Sequence, residues 1–173
     1  WGLMSLLMNA TPLSMDRHHH AFADTANVIQ WHVLGMYIPS FFTGSLIKRL
    51  GERPMLLGGI ALIGVSAWIN MGGTEVMSYM IGLAVLGVGW NFLFVSCTAL
   101  LTGTYQTEGE RARVQSANDF LIYGTMIVST FAAGPLEERI GWYELNQAAL
   151  LVTAIVGAAF VLLIWRERRG LPN

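Results

Sequence analysis

Five stretches of this chain, 25–47, 54–73, 76–107, 120–136 and 145–165, contain no aspartate, glutamate, lysine or arginine. Each is apolar enough and long enough to cross a bilayer, because about 20 residues of helix span a hydrocarbon core of roughly 30 Å. An apolar start at 1–15 makes a sixth candidate, shorter than a full span before a turn signal at 11–16. Irregular chain cannot lie in lipid with its backbone groups unpaired, so such runs are expected to be helices. Composition agrees: 54% of the 173 residues are hydrophobic, 12% are charged, and mean hydropathy is +0.51, outside the range of a soluble domain. The expected fold is an all-α membrane protein with spans near 1–15, 25–47, 54–71, 76–101, 114–136 and 144–165.

Six spans alternate their connections between two faces of the membrane. One face collects Lys48, Arg49, Arg53, Arg111, Arg113, Arg166, Arg168 and Arg169, and the other only Arg17 and Arg139. The positive-inside rule makes the first face cytosolic, with the C-terminus inside and the first helix running outward. A net charge of −1 provides no basic groove for nucleic acid. One cysteine, Cys97, excludes an intrachain disulfide and reads as an apolar filler. The opening run has no basic leader or small-residue cleavage site, so it reads as a helix entered partway rather than a signal peptide.

The run 25–47 ends in GSLIKRLGER (44–53), and the run 120–136 ends in GPLEERIGWY (134–143). Both contain G-x-L-x-x-R-x-G: Gly44, Leu46, Arg49 and Gly51 in the first copy, and Gly134, Leu136, Arg139 and Gly141 in the second. The copies lie 90 residues and three spans apart, hence on opposite faces. Ser40 and Phe41 fall opposite Thr130 and Phe131 at the same offset. A three-helix unit repeated upside down is the expected architecture, as in many secondary carriers. The offset aligns Trp1 with Asn91 in the middle of the fourth span, so the first helix is expected to be truncated.

These motifs resemble those of the major facilitator superfamily, and the chain as a whole is similar to its C-terminal six-helix half, spans seven to twelve. GSLIKRLGER keeps Gly44, Leu46, Arg49, Gly51 and Arg53 of the family's loop signature G-x-L-x-D-R-x-G-R-R, with Lys48 in place of the aspartate and Glu52 in place of a base. GTMIVSTFAAGPLEERIGW resembles the glycine- and proline-bearing fifth or eleventh helix. The resemblance implies a transporter of the cytoplasmic membrane that moves a small solute by alternating access, with an N-terminal six-helix half as partner. It also implies that the signature loop latches one state, and that Asp119, at the start of the fifth span, meets the signature loop of the other half. In physical terms Gly44 is expected to let helices approach closely, Gly51 to permit a tight turn, and Arg49 and Arg53 to sit at the interface near a helix end. Simple helix N-terminal capping is the alternative role for Asp119.

Polar groups inside spans are costly and point to a cavity. Gln30 and His32 lie about 200° apart on one helix, so at most one faces straight into it. His32, the titratable side chain well inside a span, suits proton coupling or substrate hydrogen bonding, and its alternative role is a neutral histidine bonded to a neighbouring helix. In GLAVLGVGWNFLF (82–94), Gly82, Gly87 and Gly89 suit close packing or local bending, and Trp90 beside Asn91 suits a planar or hydroxylated ligand, with Trp90 facing lipid or a partner helix as the alternative. Asn9 and Tyr123 complete the expected cavity candidates. His18, His19 and His20 share no face of a regular element, and neither a metal nor a cofactor is expected. A membrane-embedded enzyme is the rival class, but no metalloprotease motif, phosphate loop or nucleophile–base pair is present. A structural or sensory subunit is the third, weakened by the intramembrane polar groups.

Overall fold

A computed structural model of the chain describes residues 1–105 and 107–169, and among them every regular element is an α-helix. The elements are α1 (Gly2–Arg17), α2 (Phe22–Tyr37), α3 (Ser40–Leu50), α4 (Glu52–Met71), α5 (Val76–Thr102) and α6 (Glu108–Arg168). α4, α5 and α6 are long and apolar enough to cross a membrane. α2 and α3 together cover the second expected span, and the break between them falls at Ile38 and Pro39. Proline has no N–H to give the carbonyl four residues back, which interrupts the helix ladder there.

At 61 residues, α6 would be about 90 Å long if straight, some three times the thickness of a bilayer core. It is not straight. Gly141, at φ 85° and ψ 171°, breaks it into a first segment, 108–140, and a second, 142–168. Gly51, between α3 and α4, has nearly the same backbone, φ 89° and ψ 162°. These are the final glycines of the two G-x-L-x-x-R-x-G copies, and only glycine adopts that conformation readily. The expected tight turn at Gly51 is therefore present, and its 90-residue echo at Gly141 repeats it.

After Gly141 the chain runs back along α4. Asn70 Nδ2 donates to Asn146 Oδ1 at 3.2 Å, a Cβ on Gly64 would touch Leu150 and Thr153, and one on Gly157 would touch Ile60. At the far end Arg53 pairs with Glu167 at 2.7 Å. The first segment of α6 lies parallel to α1, from Gly2 beside Thr125 and Ser129 to Arg17 beside Glu137. α2 lies parallel to α5, where a Cβ on Gly35 would strike the Ala84 carbonyl and one on Gly87 would meet Met36 N at 2.9 Å. With no hydrophobic drive between helices in lipid, such small-residue seams supply the van der Waals contact that holds them. The expectation that the glycines of the fourth span serve close packing holds.

The expectation for Gly44 does not. A Cβ there would meet nothing within 4 Å, so Gly44 brings no helices of this chain together; α3 presents it on an open face. The core draws on α1, α2, α4, α5 and both segments of α6, around Leu7, Val28, Ala67, Tyr79, Ala133 and Trp142.

Candidate functional site

The polar residues expected inside the spans separate into buried fasteners and exposed faces. Asn91 is buried and its amide is fully engaged. Thr43 Oγ1 donates to Asn91 Oδ1 at 2.6 Å, and Asn91 Nδ2 donates to the Met36 carbonyl at 2.8 Å and to Ser40 Oγ. These partners flank the Pro39 break. The amide supplies a donor to backbone where the α2–α3 ladder is interrupted, which lipid would otherwise leave unpaired.

His32 is fully buried on the same seam and donates Nδ1–H to the Leu83 carbonyl at 2.8 Å; its Nε2 has no partner. Gln30 is exposed, as the angle between the two positions requires. Trp90 is buried, with its ring parallel to Phe94 at 5.0 Å and edge-on to Trp1 at 4.7 Å, and its Nε1–H is unpartnered. Asn9 joins α1 to α6: Nδ2 donates to the Ser5 carbonyl at 2.7 Å and reaches Thr130 Oγ1 at 3.4 Å, and Ser5 Oγ is 3.2 Å from the same hydroxyl. Tyr123 stands on an exposed face, 62% accessible.

In the loop motif, Arg49 is exposed and makes no ion pair among the described residues, whereas Arg53 is committed to Glu167. Leu46 is half-buried. In the second copy Gly134 makes ordinary contact with Leu13 at 3.6 Å, Leu136 packs against the core, and Arg139 is exposed. Asp119 accepts from Gln115 Nε2 at 3.0 Å. It does not cap a helix start: α6 begins at Glu108, and Thr107 accepts from the Glu110 N–H at 3.2 Å. The basic stretch 110–116 lies inside the helix instead of before it, because the capping threonine lies upstream of it. His18 and His20 diverge, one to the Ser14 carbonyl at 2.7 Å and the other to the Thr74 carbonyl at 2.6 Å.

One cluster lies outside the candidates that the sequence offers. Glu137, inside the second motif copy but not one of its motif positions, is only 2% exposed. Arg17 Nη2 sits 2.9 Å from its Oε2, and Oε1 has no partner. Around it Tyr79 Oη lies 2.7 Å from Ser14 Oγ and 3.4 Å from His18 Nδ1, and Trp142 Nε1 donates to the Asn70 carbonyl at 2.9 Å. The available signal was helical phase: Glu137 lies four residues after Ala133, which is also buried, while Glu138 and Arg139 are exposed.

The model of the Major Facilitator Superfamily matches residues 1–173. Riboflavin transporter RfnT of Brucella anthropi is 41% identical over 162 residues, which is 94% of this chain and 40% of that protein. The uncharacterized MFS-type transporter YdeG of Bacillus subtilis is 33% identical over 165 residues, 94% of this chain and 36% of that protein. A second Bacillus subtilis protein, the uncharacterized MFS-type transporter YddS, is 30% identical over 174 residues, covering 96% and 38% of the two chains. The chain thus spans about 40% or less of the curated relatives it matches.

Proposed function

The chain belongs to the Major Facilitator Superfamily, a family of integral membrane transporters and not of enzymes, and on that premise we propose that it forms one six-span half of a secondary transporter that works by alternating access. Its spans are α1, α2 with α3, α4, α5 and the two segments of α6, arranged as two inverted triplets. One observation carries this reading. Large apolar residues left exposed on α2–α3 recur 90 positions later on the first segment of α6: Trp31 with Leu121, Val33 with Tyr123, Tyr37 with Ile127, Ile38 with Val128 and Phe41 with Phe131. Two equivalent helices thus present matching uncovered faces, as expected where a second six-span half and lipid cover them. The parallel pairing of α1 with the first segment of α6, and of α5 with α2, supports the same twofold relation.

Within this reading Lys48, Arg49 and Arg53 face the cytosol with the C-terminus, in keeping with the eight-to-two distribution of lysine and arginine. Arg49 and Gly44, both exposed, form the part of the signature loop free to meet the other half, and Asp119 offers it a carboxylate. Among the cavity candidates Gln30 and Tyr123 reach substrate by exposure, and Trp90 by its unpartnered N–H. Asn91, His32 and Asn9 act behind them, holding the wall in place. Riboflavin is the first solute to test, by kinship with RfnT and because aromatic walls suit a planar ring.

The test is counterflow of labelled riboflavin in proteoliposomes containing the whole polypeptide that carries this chain. Saturable exchange supports the reading. Absence of riboflavin exchange removes the substrate assignment, and a cysteine at position 49 whose labelling is unchanged by any transported solute removes alternating access at this loop.

A further inference from the structure

We infer that Tyr37 and Thr130 select the solute: with Gln30 and Tyr123 they form an uncharged hydrogen-bonding wall of the transport cavity, fitted to a neutral ring-bearing polyol and offering no cation to a phosphorylated one. This rests on the transport reading above and adds the chemistry of the solute.

Tyr37 is 60% exposed and Tyr123 62%, and neither phenol has a hydrogen-bond partner among the described residues. Tyrosines of membrane proteins gather at the two water interfaces. These two stand elsewhere. Tyr37 lies 15 residues after Phe22 and 13 before Leu50, and Tyr123 lies 15 after Glu108 and 17 before Ile140. Each is therefore about 20 Å or more from either end of its helical run, at mid-membrane depth. A phenol facing lipid there would leave its O–H unpaired in hydrocarbon.

Each tyrosine has an exposed polar companion seven residues away, two helical turns and about 10 Å along the same line. On α2 it is Gln30, turned away from the face on which His32 bonds α5. On the first segment of α6 it is Thr130, whose Oγ1 is met by Asn9 Nδ2 at 3.4 Å and Ser5 Oγ at 3.2 Å. Either hydroxyl can donate across the 3.2 Å contact, and when Ser5 does so the Thr130 O–H turns outward. Both helices also carry an apolar line at equivalent positions, Trp31 with Ile38 and Leu121 with Val128, between 51% and 69% exposed. The polar lines lie about 110° and about 170° round from these, at 100° per residue. Each uncovered surface thus has one side suited to lipid or apolar packing and another suited to water.

Amide, phenol and hydroxyl groups each donate and accept, as do the O–H groups of a polyol. The runs 25–47 and 120–136 contain no aspartate, glutamate, lysine or arginine, so this wall holds a neutral solute without stranding a charge and has no guanidinium or ammonium for a phosphate. Riboflavin, a planar ring bearing a ribityl chain, has this chemistry. A site built to bond hydroxyls rejects the analogue that lacks them, because its own polar groups are then left unpaired.

Two measurements on the whole transporter, in a Cys97→Ser background, separate the wall from its solute. The first needs no solute. Tyr37→Cys and Thr130→Cys should react with a charged methanethiosulfonate reagent, which needs a hydrated thiolate, and Ile38→Cys and Val128→Cys should react at least ~10-fold more slowly. The reverse ranking, or four equal rates, overturns the wall whatever is transported. The second is equilibrium binding of riboflavin, of lumiflavin, which has the same ring with a methyl group in place of the ribityl chain, and of flavin mononucleotide. The unmodified transporter should bind riboflavin at least ~10-fold more tightly than either of the others. Tyr37→Phe and Thr130→Val should each weaken riboflavin at least ~5-fold and leave lumiflavin within ~2-fold, while Thr130→Ser, which keeps the hydroxyl, retains the parental affinity. No loss, equal losses for the two flavins, or equal parental binding of the mononucleotide overturns the selection; should Thr130→Val not fold, Tyr37→Phe decides alone. Absence of all flavin binding with the labelling order intact removes riboflavin as the solute and leaves the wall in place.

Discussion

Replacing Asn91 by leucine removes an amide and keeps a side chain of similar bulk, so the change isolates hydrogen bonding from cavity formation. Three bonds to the α2–α3 segment disappear, those with Thr43, Met36 and Ser40. Interhelical bonds in membrane proteins average about 0.6 kcal/mol each, which sums to about 2 kcal/mol. Thr43 retains an acceptor in the Pro39 carbonyl at 2.8 Å, whereas the buried Met36 carbonyl loses a donor beside a proline break. That unpaired group costs about 1 to 3 kcal/mol in place of its share of the sum, for a total of roughly 2 to 4 kcal/mol. Reversible unfolding of the whole transporter in mixed micelles, by steric trapping or added denaturing detergent, measures the difference. Thr43→Val in the same background completes a double-mutant cycle, with an expected coupling of about 0.5 to 1.5 kcal/mol. Stability within about 0.3 kcal/mol of the parent, together with loss of solute binding, would refute this account and return Asn91 to direct contact with substrate.

Gly51→Ala and Gly141→Ala should each cost about 1 to 3 kcal/mol in the same unfolding assay, because both positions hold a positive φ with ψ near 180°. Gly44→Ala, on an open face, should cost less than about 0.5 kcal/mol and act instead on transport rate; equal destabilisation at all three positions would contradict the backbone argument. In sealed cells, an impermeant thiol reagent should label a cysteine at position 19 from outside and not one at position 50, and the reverse pattern would invert the proposed orientation.

The charge-free runs were enough to specify helices for a membrane, since no other local structure pairs the backbone of a long apolar segment in lipid. The duplicated motif also made the turn glycines legible: at Gly51 and Gly141 a local backbone conformation excludes side chains, and such a constraint is written in the residue itself. The seam glycines of α5 have ordinary helical backbone and are constrained instead by neighbouring helices, as at Gly87 against Met36 and Gly89 against Ile63. What the sequence did not reveal is the direction each polar side chain takes. Asn91 looks in sequence like a binding residue, but its environment is set by the Pro39 break on another helix, 52 residues away. Gly44 carries the motif of a packing glycine, yet only assembly decides whether another helix lies against it. Glu137 shows the limit most plainly. Among EER it reads as solvent-exposed charge, and its burial arises because the turn at Gly141 folds Trp142 back toward α4 and α5 while α1 brings up Arg17. Composition and periodicity determine which segments enter the membrane, through the local cost of unpaired backbone. Which charge is sealed between helices depends on contacts among segments distant in the chain, and tertiary packing alone determines those.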